Sequence, residues 1–202
     1  MVRRKILRKV ILAMQMTLDG FSTGPNGEMD WLPPFENEEA WKDLHQEMWN
    51  NIENADAMLL GRVTYQIWET YWPAAANNPK STENDKKFSR YAEETQKIVF
   101  SNTLDKVTWK NTRLIKDNIV DEVMKLKQQP GKNMYLVGGA SLAQTFTKLG
   151  LIDEYNITVH PVILGNGKPL LRDVNVRRNL QLIKTKTYHS SAVGLSYQSM
   201  KI

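Results

Sequence analysis

The residues best suited to chemistry in this chain surround a pair of glycines, Gly138 and Gly139. A short apolar run ends at Val137, and a helical spacing of apolar residues begins with Ala140 and Ser141. Residues without Cβ let a ligand approach the backbone, and a helix N-terminus offers free N–H groups and a partial positive charge. The pattern therefore predicts an anion site, although a tight strand-to-helix turn alone would also use two glycines.

A second turn of the same kind carries an arginine. Gly61 and Arg62 follow the apolar run 57–60, and Val63 and Thr64 begin the next helical pattern. A guanidinium beside a helix N-terminus is well placed to bind a phosphate through two parallel hydrogen bonds. Taken alone, the same pattern also fits an ordinary surface arginine.

A third polar pair, Ser101 and Asn102, follows the apolar run 97–100. In open α/β sheets, ligands bind beside the carboxyl ends of the strands, where all three turns are expected to meet. Three such turns suit a dinucleotide with separated phosphates. The usual glycine-rich dinucleotide fingerprint is absent, because residues 165–167 (GNG) continue as Lys-Pro-Leu and cannot begin the required helix.

A long polar loop after the first apolar run contains Asp19 and Trp31. Loops of this length inside a compact domain are usually functional. The Asp19 carboxylate is a candidate acid–base group, but it would also suit a hydrogen bond to the backbone of its own turn.

The spacing of apolar residues indicates the elements that hold these turns. Strands alternate with helices as far as residue 160, which predicts a parallel sheet covered by helices. Only strands follow, which predicts an antiparallel edge. No repeat or linker appears, so residues 1–202 are expected to form a single domain. The predicted strands are 9–16, 55–60, 97–100, 112–115, 134–137, 153–160, 180–188 and 193–201, and the predicted helices are 38–54, 63–71, 83–95, 118–128 and 140–149, with a polar loop over 73–82.

Composition excludes several classes of protein. The chain has 202 residues, 41% of them hydrophobic, which is enough for the core of one domain. It contains no cysteine, which excludes disulfides and thiolate chemistry, and its histidines at 45, 160 and 189 lack metal-ligand spacing.

Charge and hydropathy point to a cytoplasmic protein with a small-molecule ligand. The net charge of +5 comes from basic residues mixed with 22 acids, which argues against nucleic-acid binding and suits phosphorylated ligands. No apolar run approaches the roughly 18 residues of a membrane span. The basic start and short apolar run of residues 1–14 lack a small-residue cleavage site, so no signal peptide is expected.

Together the motifs resemble the dihydrofolate reductase-like superfamily. The resemblance is closest to the C-terminal reductase domain of bifunctional riboflavin-biosynthesis proteins and to their stand-alone bacterial relatives, and it covers residues 9–202. It implies a three-layer α/β/α fold with a mostly parallel sheet and a C-terminal antiparallel hairpin. The motifs that carry it are LDG at 18–20, Trp31, LGRVTY at 60–65, Ser101, VGGAS at 137–141, DE at 153–154 and PVILGNG at 161–167.

The resemblance implies an NADPH-dependent reductase. In such proteins the Gly-Arg-x-Thr turn and the serine after the next strand hold the adenosine side and its 2′-phosphate, and the Gly-Gly helix start holds the pyrophosphate. The loop from Ala13 to Trp31 covers nicotinamide and substrate. The implied NADPH-binding residues are Ala13, Gly61, Arg62, Val63, Thr64, Ser101, Asn102, Val137, Gly138, Gly139, Ala140 and Ser141.

The implied substrate is a pyrimidine- or pteridine-like heterocycle, which includes 5-amino-6-(5-phosphoribosylamino)uracil. Trp31 is the expected substrate contact, and Asp19 and Glu36 are the loop acids that could supply a proton. One departure is Ala143, which stands where dihydrofolate reductases have a tyrosine. The alternative is a nucleotide-binding protein that keeps the fold without catalysis.

A homodimer is also expected. The C-terminal strands carry apolar residues that need cover on both faces, and a strand edge of this kind tends to be paired. These residues are Leu180, Leu182, Ile183, Val193 and Leu195.

Overall fold

A mixed sheet forms the middle layer of the computed structural model, which describes residues 7–33, 37–172 and 174–200. Helices cover both faces of this sheet, as the resemblance implies. The strands are β1 (Val10–Thr17), β2 (Phe21–Thr23), β3 (Ala55–Gly61), β4 (Gln96–Phe100), β5 (Thr112–Ile115), β6 (Asn133–Gly138), β7 (Glu154–His160), β8 (Lys168–Pro169), β9 (Leu180–Thr187) and β10 (Val193–Ser199). The helices are α1 (Glu38–Ile52), α2 (Arg62–Ala75), α3 (Glu83–Glu94), α4 (Ile119–Gln128) and α5 (Ala140–Leu149).

The main sheet has eight strands in the order β5-β4-β3-β6-β1-β7-β10-β9. The strands from β5 to β7 run parallel, and β10 and β9 form an antiparallel hairpin at one edge. The predicted architecture is therefore confirmed. Because β3, β6 and β1 are covered on both faces, their sequences are nearly continuous apolar runs.

The two largest apolar clusters of the core lie on opposite faces of the sheet. On the first face, α4 and α5 pack against alternate residues of the parallel strands through side chains such as Val123 and Phe146. On the opposite face, α1, α2 and α3 pack against the remaining strand residues through side chains such as Ile52, Tyr65 and Phe88. Within the described ranges, no helix is long and apolar enough to cross a membrane.

Helix α2 continues past the point where a loop was predicted. Pro73 lies inside the helix, which ends at Ala75. Proline removes one backbone hydrogen bond and favours a helix end, but here packing opposes it. The Trp72 ring lies 4.5 Å from the ring of Phe88, and the Ser89 hydroxyl donates a hydrogen bond of 2.6 Å to the Trp72 carbonyl.

A second, two-stranded sheet joins segments that the sequence indicated only as loops. Strand β2 pairs antiparallel with β8, and the Ser22 hydroxyl donates to the Lys168 carbonyl at 3.0 Å. Both segments extend from the carboxyl edge of the main sheet, so this pairing ties the loop after β1 to the loop after β7.

A buried lysine joins α3 to β4. The Lys97 ammonium donates to the carbonyls of Ala92 and Thr95, and it lies 4.3 Å from the centre of the Trp109 ring. It thereby satisfies carbonyl groups that a helix C-terminus leaves free. Burial lowers the pKa of Lys97 to about 8.

Candidate functional site

The two glycine turns meet at the carboxyl edge of the sheet because β3 and β6 are neighbours. A Cβ built on Gly61 would lie 3.5 Å from the Gly138 carbonyl oxygen, and one built on Gly138 would lie 2.4 Å from a methyl group of Thr64. Gly139 has φ +89°, a conformation that residues with a Cβ rarely adopt. The structure therefore brings together four of the residues predicted to hold NADPH.

The helices that begin at these turns have unusually bare N-termini. Neither α2 nor α5 has a side-chain cap, and neither has an acid in its first turn. Helices α1, α3 and α4 all carry acids there. Because an uncapped first turn keeps free N–H groups and its positive end, α2 and α5 present two adjacent positions suited to phosphate.

Arg62 is the first residue of α2, and its side chain is exposed. Its hydrogen bond within the described residues is a long one of 3.4 Å to the Gln66 side chain, so the guanidinium remains accessible to a ligand. Val63 is 57% exposed and offers an apolar surface beside it.

In the third turn, Ser101 and Asn102, one side chain already forms hydrogen bonds within the turn. The Ser101 hydroxyl accepts hydrogen bonds from the backbone N–H groups of Thr103 and Leu104, at 3.2 and 3.1 Å. Asn102 is exposed and lies in the same turn, and Ser141 is exposed on the first turn of α5.

Asp19 holds two loops together rather than standing free as an acid. Its carboxylate accepts hydrogen bonds from the Thr17 hydroxyl at 2.6 Å, the Gly165 N–H at 2.7 Å and the Leu164 N–H at 3.1 Å. The hydrogen bond from Thr17 is the main cause that lowers the pKa of Asp19 below its usual value, and the two backbone bonds act in the same direction. These hydrogen bonds favour the ionised carboxylate and give Asp19 a structural role, and its role as a proton donor stays a prediction.

The second predicted acid, Glu36, lies outside the described residues. Trp31, the predicted substrate contact, packs edge-on against His160 with 5.4 Å between the ring centres. It joins the apolar cluster of Leu32, Trp41, Leu44, Tyr188 and Ala192 and is absent from the described residues that line the cavity beside it. Trp31 therefore contacts residues that line the cavity, and its role as a substrate contact stays a prediction.

That cavity has a volume of about 350 Å³ and lies between the sheet and helices α1, α2 and α3. Two predicted residues, Ala13 and Val137, contribute to its wall. Since Val137 directly precedes Gly138, the cavity adjoins the glycine turns. A cofactor held at the turns would therefore extend towards this space.

Polar residues on the central strands line the cavity, and the sequence reasoning missed them. They include Gln15 of β1 and Asn156 and Thr158 of β7. In β7 the polar residues 156, 158 and 160 alternate with apolar residues. Polar side chains on one face of a central strand are a detectable signal, because a buried face without a ligand is normally apolar.

A histidine orients one of these side chains. The Nε2 atom of His160 lies 2.5 Å from Oε1 of Gln15, and His160 is only 2% exposed. Burial lowers the pKa of His160, so its ring is neutral at neutral pH. With Oε1 engaged, the amide N–H₂ group of Gln15 is left to donate to a ligand in the cavity.

Two tyrosines add protonated hydroxyl groups. Burial raises the pKa of Tyr135 well above its usual value. Burial, with help from Glu47 and Asp43, raises the pKa of Tyr188 to about 12. Both phenols line the cavity and remain neutral hydrogen-bonding groups across the physiological range.

One carboxylate faces two lysines on the cavity wall. Glu47 of α1 accepts hydrogen bonds from Lys184 at 2.9 Å and from Lys186 at 3.1 Å. Burial alone would raise the pKa of Glu47, but these hydrogen bonds outweigh it and hold the pKa below its usual value. The described residues contain no cluster of acids and histidines that could bind a metal ion.

Comparison with known proteins finds a matching family model and two related proteins. Residues 8–193 match the family model of the RibD C-terminal domain. The chain is 40% identical over 190 residues to the uncharacterized protein YyaP of Bacillus subtilis (strain 168), with 94% of each chain covered. It is 31% identical over 192 residues to the uncharacterized protein YwjB of the same strain, with 94% of this chain and 97% of that one covered.

Solved structures show the same fold. A putative riboflavin biosynthesis protein from Shewanella sp. PV-4 matches with a TM-score of 0.70 at 24% identity, covering 96% of this chain and 99% of that chain. A diaminohydroxyphosphoribosylaminopyrimidine deaminase/5-amino-6-(5-phosphoribosylamino)uracil reductase from Thermotoga maritima matches with a TM-score of 0.62 at 19% identity. That match covers 96% of this chain and 57% of the Thermotoga chain.

Proposed function

Because the chain belongs to the RibD C-terminal domain family, we propose that it is an NADPH-dependent reductase of a small pyrimidine- or pteridine-like heterocycle. The Thermotoga neighbour, named as a 5-amino-6-(5-phosphoribosylamino)uracil reductase, provides the chemical precedent. A cytoplasmic location is part of the proposal.

The observation that carries the proposal is the pair of bare helix N-termini at Gly61 and Gly139, next to the cavity. They fit a dinucleotide, because the start of α5 offers N–H groups to a pyrophosphate and Arg62 offers a guanidinium to a 2′-phosphate. A Cβ on Gly138 would displace Thr64 and disturb this arrangement.

When bound, NADPH would supply the hydride. The chain's own residues would bind and orient the cofactor and the heterocycle, and they would exclude water from the site. Val137 and Ala13 lie where the cavity meets the glycine turns, and Gln15 offers an amide to orient the heterocycle. Glu36 stays a prediction as the proton donor. Because Asp19 is committed to hydrogen bonds, a nucleotide-binding protein without catalysis is the second candidate.

Oxidation of NADPH measured against a panel of pterins, pyrimidinones and quinones separates these two candidates. A reductase oxidises NADPH with at least one member of the panel, whereas a non-catalytic protein binds NADPH and oxidises it with none. Failure to bind NADPH would contradict both.

Arg62 is expected to set the preference for NADPH over NADH. Since hydrogen bonds to charged groups contribute about 1.5–3 kcal/mol, Arg62→Ala should weaken NADPH binding by roughly 10- to 100-fold. NADH binding should barely change, because NADH has only a hydroxyl at that position. Arg62→Lys should restore part of the loss, since an ammonium lacks the planar fork.

The measurement is the dissociation constant of each cofactor by fluorescence titration. Arg90→Ala removes another exposed arginine, on α3, and is the matched control. An equal loss for NADPH and NADH would assign Arg62 a structural role. No loss for either would leave Ser101 and Asn102 as the candidates for the 2′-phosphate.

A homodimer formed through the hairpin of β9 and β10 belongs to the same proposal. Strand β9 lies at the edge of the main sheet. Its apolar residues Leu182 and Ile183 are 51% and 53% exposed, which favours a partner strand or sheet over solvent.

A further inference from the structure

We propose that the cavity between the sheet and α1, α2 and α3 accepts an uncharged planar ring compound that carries carbonyl groups and no phosphate. This inference rests on the proposed function and narrows its substrate class. It departs from the phosphorylated substrate named for the Thermotoga neighbour.

The charges around the cavity cancel. Among the described residues that line it, Lys184 and Lys186 are the cations at neutral pH, and Glu47 and Asp85 are the carboxylates. His45 also lines the wall, but burial lowers its pKa, so it adds no charge. Both lysines already donate hydrogen bonds to Glu47. A phosphate entering here would have to compete with Glu47 for both ammonium groups, and phosphate sites depend on charge-assisted hydrogen bonds.

A helix N-terminus reaches the cavity, but it is occupied by its own cap. Thr82, Asn84 and Asp85 at the start of α3 line the wall. The Thr82 hydroxyl accepts a hydrogen bond from the Asp85 N–H at 3.1 Å, while the Asp85 carboxylate accepts one from the Thr82 N–H at 3.0 Å. This capping box uses the free N–H groups and places a negative charge where a phosphate would have to bind.

The rest of the wall suits a flat ring. Six aromatic side chains contribute to it, and aromatic rings pack favourably on the faces and edges of other rings. They are Trp41, Trp68, Trp72, Phe88, Tyr135 and Tyr188. A volume of about 350 Å³ lies near the lower end of the usual range for ligand pockets, which is about 300–1,000 Å³.

A hydrogen-bond donor on this wall would pair with a carbonyl oxygen of a ligand. The amide of Gln15 keeps its N–H₂ group available, because Oε1 is engaged by His160. A donor that loses water without gaining a partner is costly, and a ligand carbonyl would remove that cost at Gln15.

The test compares two ligands that differ only in a phosphate: 5-amino-6-ribitylaminouracil and its 5′-phosphate. Isothermal titration calorimetry of the full chain, run with NADP⁺ present to occupy the phosphate positions at the glycine turns, should show at least about tenfold tighter binding of the unphosphorylated compound, a difference of about 1.4 kcal/mol. Equal or tighter binding of the phosphate ester would overturn the proposal, and so would binding of neither compound.

A charge variant makes the test specific. Glu47→Gln frees Lys184 and Lys186 from their carboxylate, so it should improve binding of the phosphate ester at least about tenfold and leave the other ligand nearly unchanged. Glu39→Gln changes the same charge on α1 at an exposed side chain and should alter neither affinity. If Glu47→Gln leaves the ester unimproved although circular dichroism shows a folded protein, the compensated charge is not what excludes phosphate.

Two lysine variants keep the proposal testable if Glu47→Gln fails to fold. Lys184→Gln and Lys186→Gln should each leave the affinity for the unphosphorylated ligand within about twofold of wild type. A loss of about tenfold or more in either would show that the ligand uses that charge and would contradict the proposal. NADPH binding is measured separately. If the protein does not bind NADPH, the proposed function is contradicted, but the ligand preference of the cavity is still decided by the titrations above.

Discussion

Gly138 and Gly139 require glycine for different reasons, although they are adjacent. Gly139 adopts φ +89°, which favours glycine whatever surrounds it. At Gly138 the constraint is space, because a Cβ would lie within 3 Å of three side-chain atoms of Thr64. Only the second constraint can be relieved by changing a neighbour.

Gly138→Ala should therefore destabilise the fold by about 1–3 kcal/mol, the usual cost of overpacking. The same change in a Thr64→Gly background should cost clearly less, because the clashing side chain is gone. Urea unfolding of the four proteins measures the coupling. Gly61→Ala is the control, since its φ is −82° and its Cβ would meet neighbours at 3.5 Å or more. Equal costs in both backgrounds would show that Thr64 is not the obstacle.

Asp19 shows how a residue with a catalytic appearance can have a structural role. Its exposure and loop position suggest an acid, but two backbone N–H groups and a hydroxyl donate hydrogen bonds to it. The sequence does not reveal these partners, because residues 164 and 165 are far away in the chain. The alternative from sequence, a hydrogen bond within its own turn, identified the kind of role but not the partner loop.

Asp19→Ala should release the loop after β7. The expected result is amide hydrogen exchange at Leu164 and Gly165 that is faster by about tenfold or more, because these N–H groups lose their acceptor. Asp30→Ala removes another exposed acid of the same loop and should leave that exchange unchanged. Unchanged exchange combined with loss of NADPH oxidation would instead return Asp19 to the role of proton donor.

Helices and strands with strong apolar spacing were predictable, whereas their pairings and interruptions were not. The runs that became β3, β6 and α5 are apolar because of burial, so local sequence reports their position. The extension of α2 through Pro73 depends on Phe88 and Ser89, which belong to another helix. Tertiary packing of this kind overrides the local preference of proline.

The candidate site also has one part that was predictable from the sequence and one part that was not. Glycine turns at strand ends have a local signature, and the structure brings Gly61 and Gly138 together as neighbours of paired strands. The cavity has no local signature, because its wall combines residues of three helices and six strands that are distant in the sequence. Only the alternation of polar residues in β7 offered a clue to it.

The junction of α3 and β4 should make stability depend on pH through Lys97. The folded pKa, about 8, lies below the usual 10.5 because the ammonium is buried. Below pH 8 both folded and unfolded chains hold the proton, so the cost of burying the charge is present in full. Between pH 8 and 10.5 the folded chain releases the proton first, and stability rises with pH.

The expected rise is about 2–3 kcal/mol relative to Lys97→Met, which keeps the length of the side chain but cannot titrate. Urea unfolding of both proteins at several pH values gives this difference, and it cancels the ionisation of the tyrosines. A difference that stays flat or falls between pH 8 and 10.5 would mean that Lys97 keeps an ordinary pKa.

At the scale of the whole molecule, the exposed edge strand predicts self-association. We expect light scattering at micromolar protein to give twice the mass of one chain. Changing Leu182 and Ile183 together to Glu should give the monomer mass, because charges on an edge strand oppose pairing. Met124→Glu places a charge at another exposed apolar residue, on α4, and should leave the dimer intact. A monomeric wild type would remove the dimer from the proposal.

The position of β1 also determines when the protein can fold during its synthesis. Strand β1 lies between β6 and β7, so its partners leave the ribosome long after it does. Until Asn133–Gly138 has been made, both edges of the strand Val10–Thr17 are unpaired, and one edge stays unpaired until Glu154–His160 follows. The nascent chain therefore carries an exposed, strand-forming segment through most of translation, and it is the natural segment for a chaperone to bind.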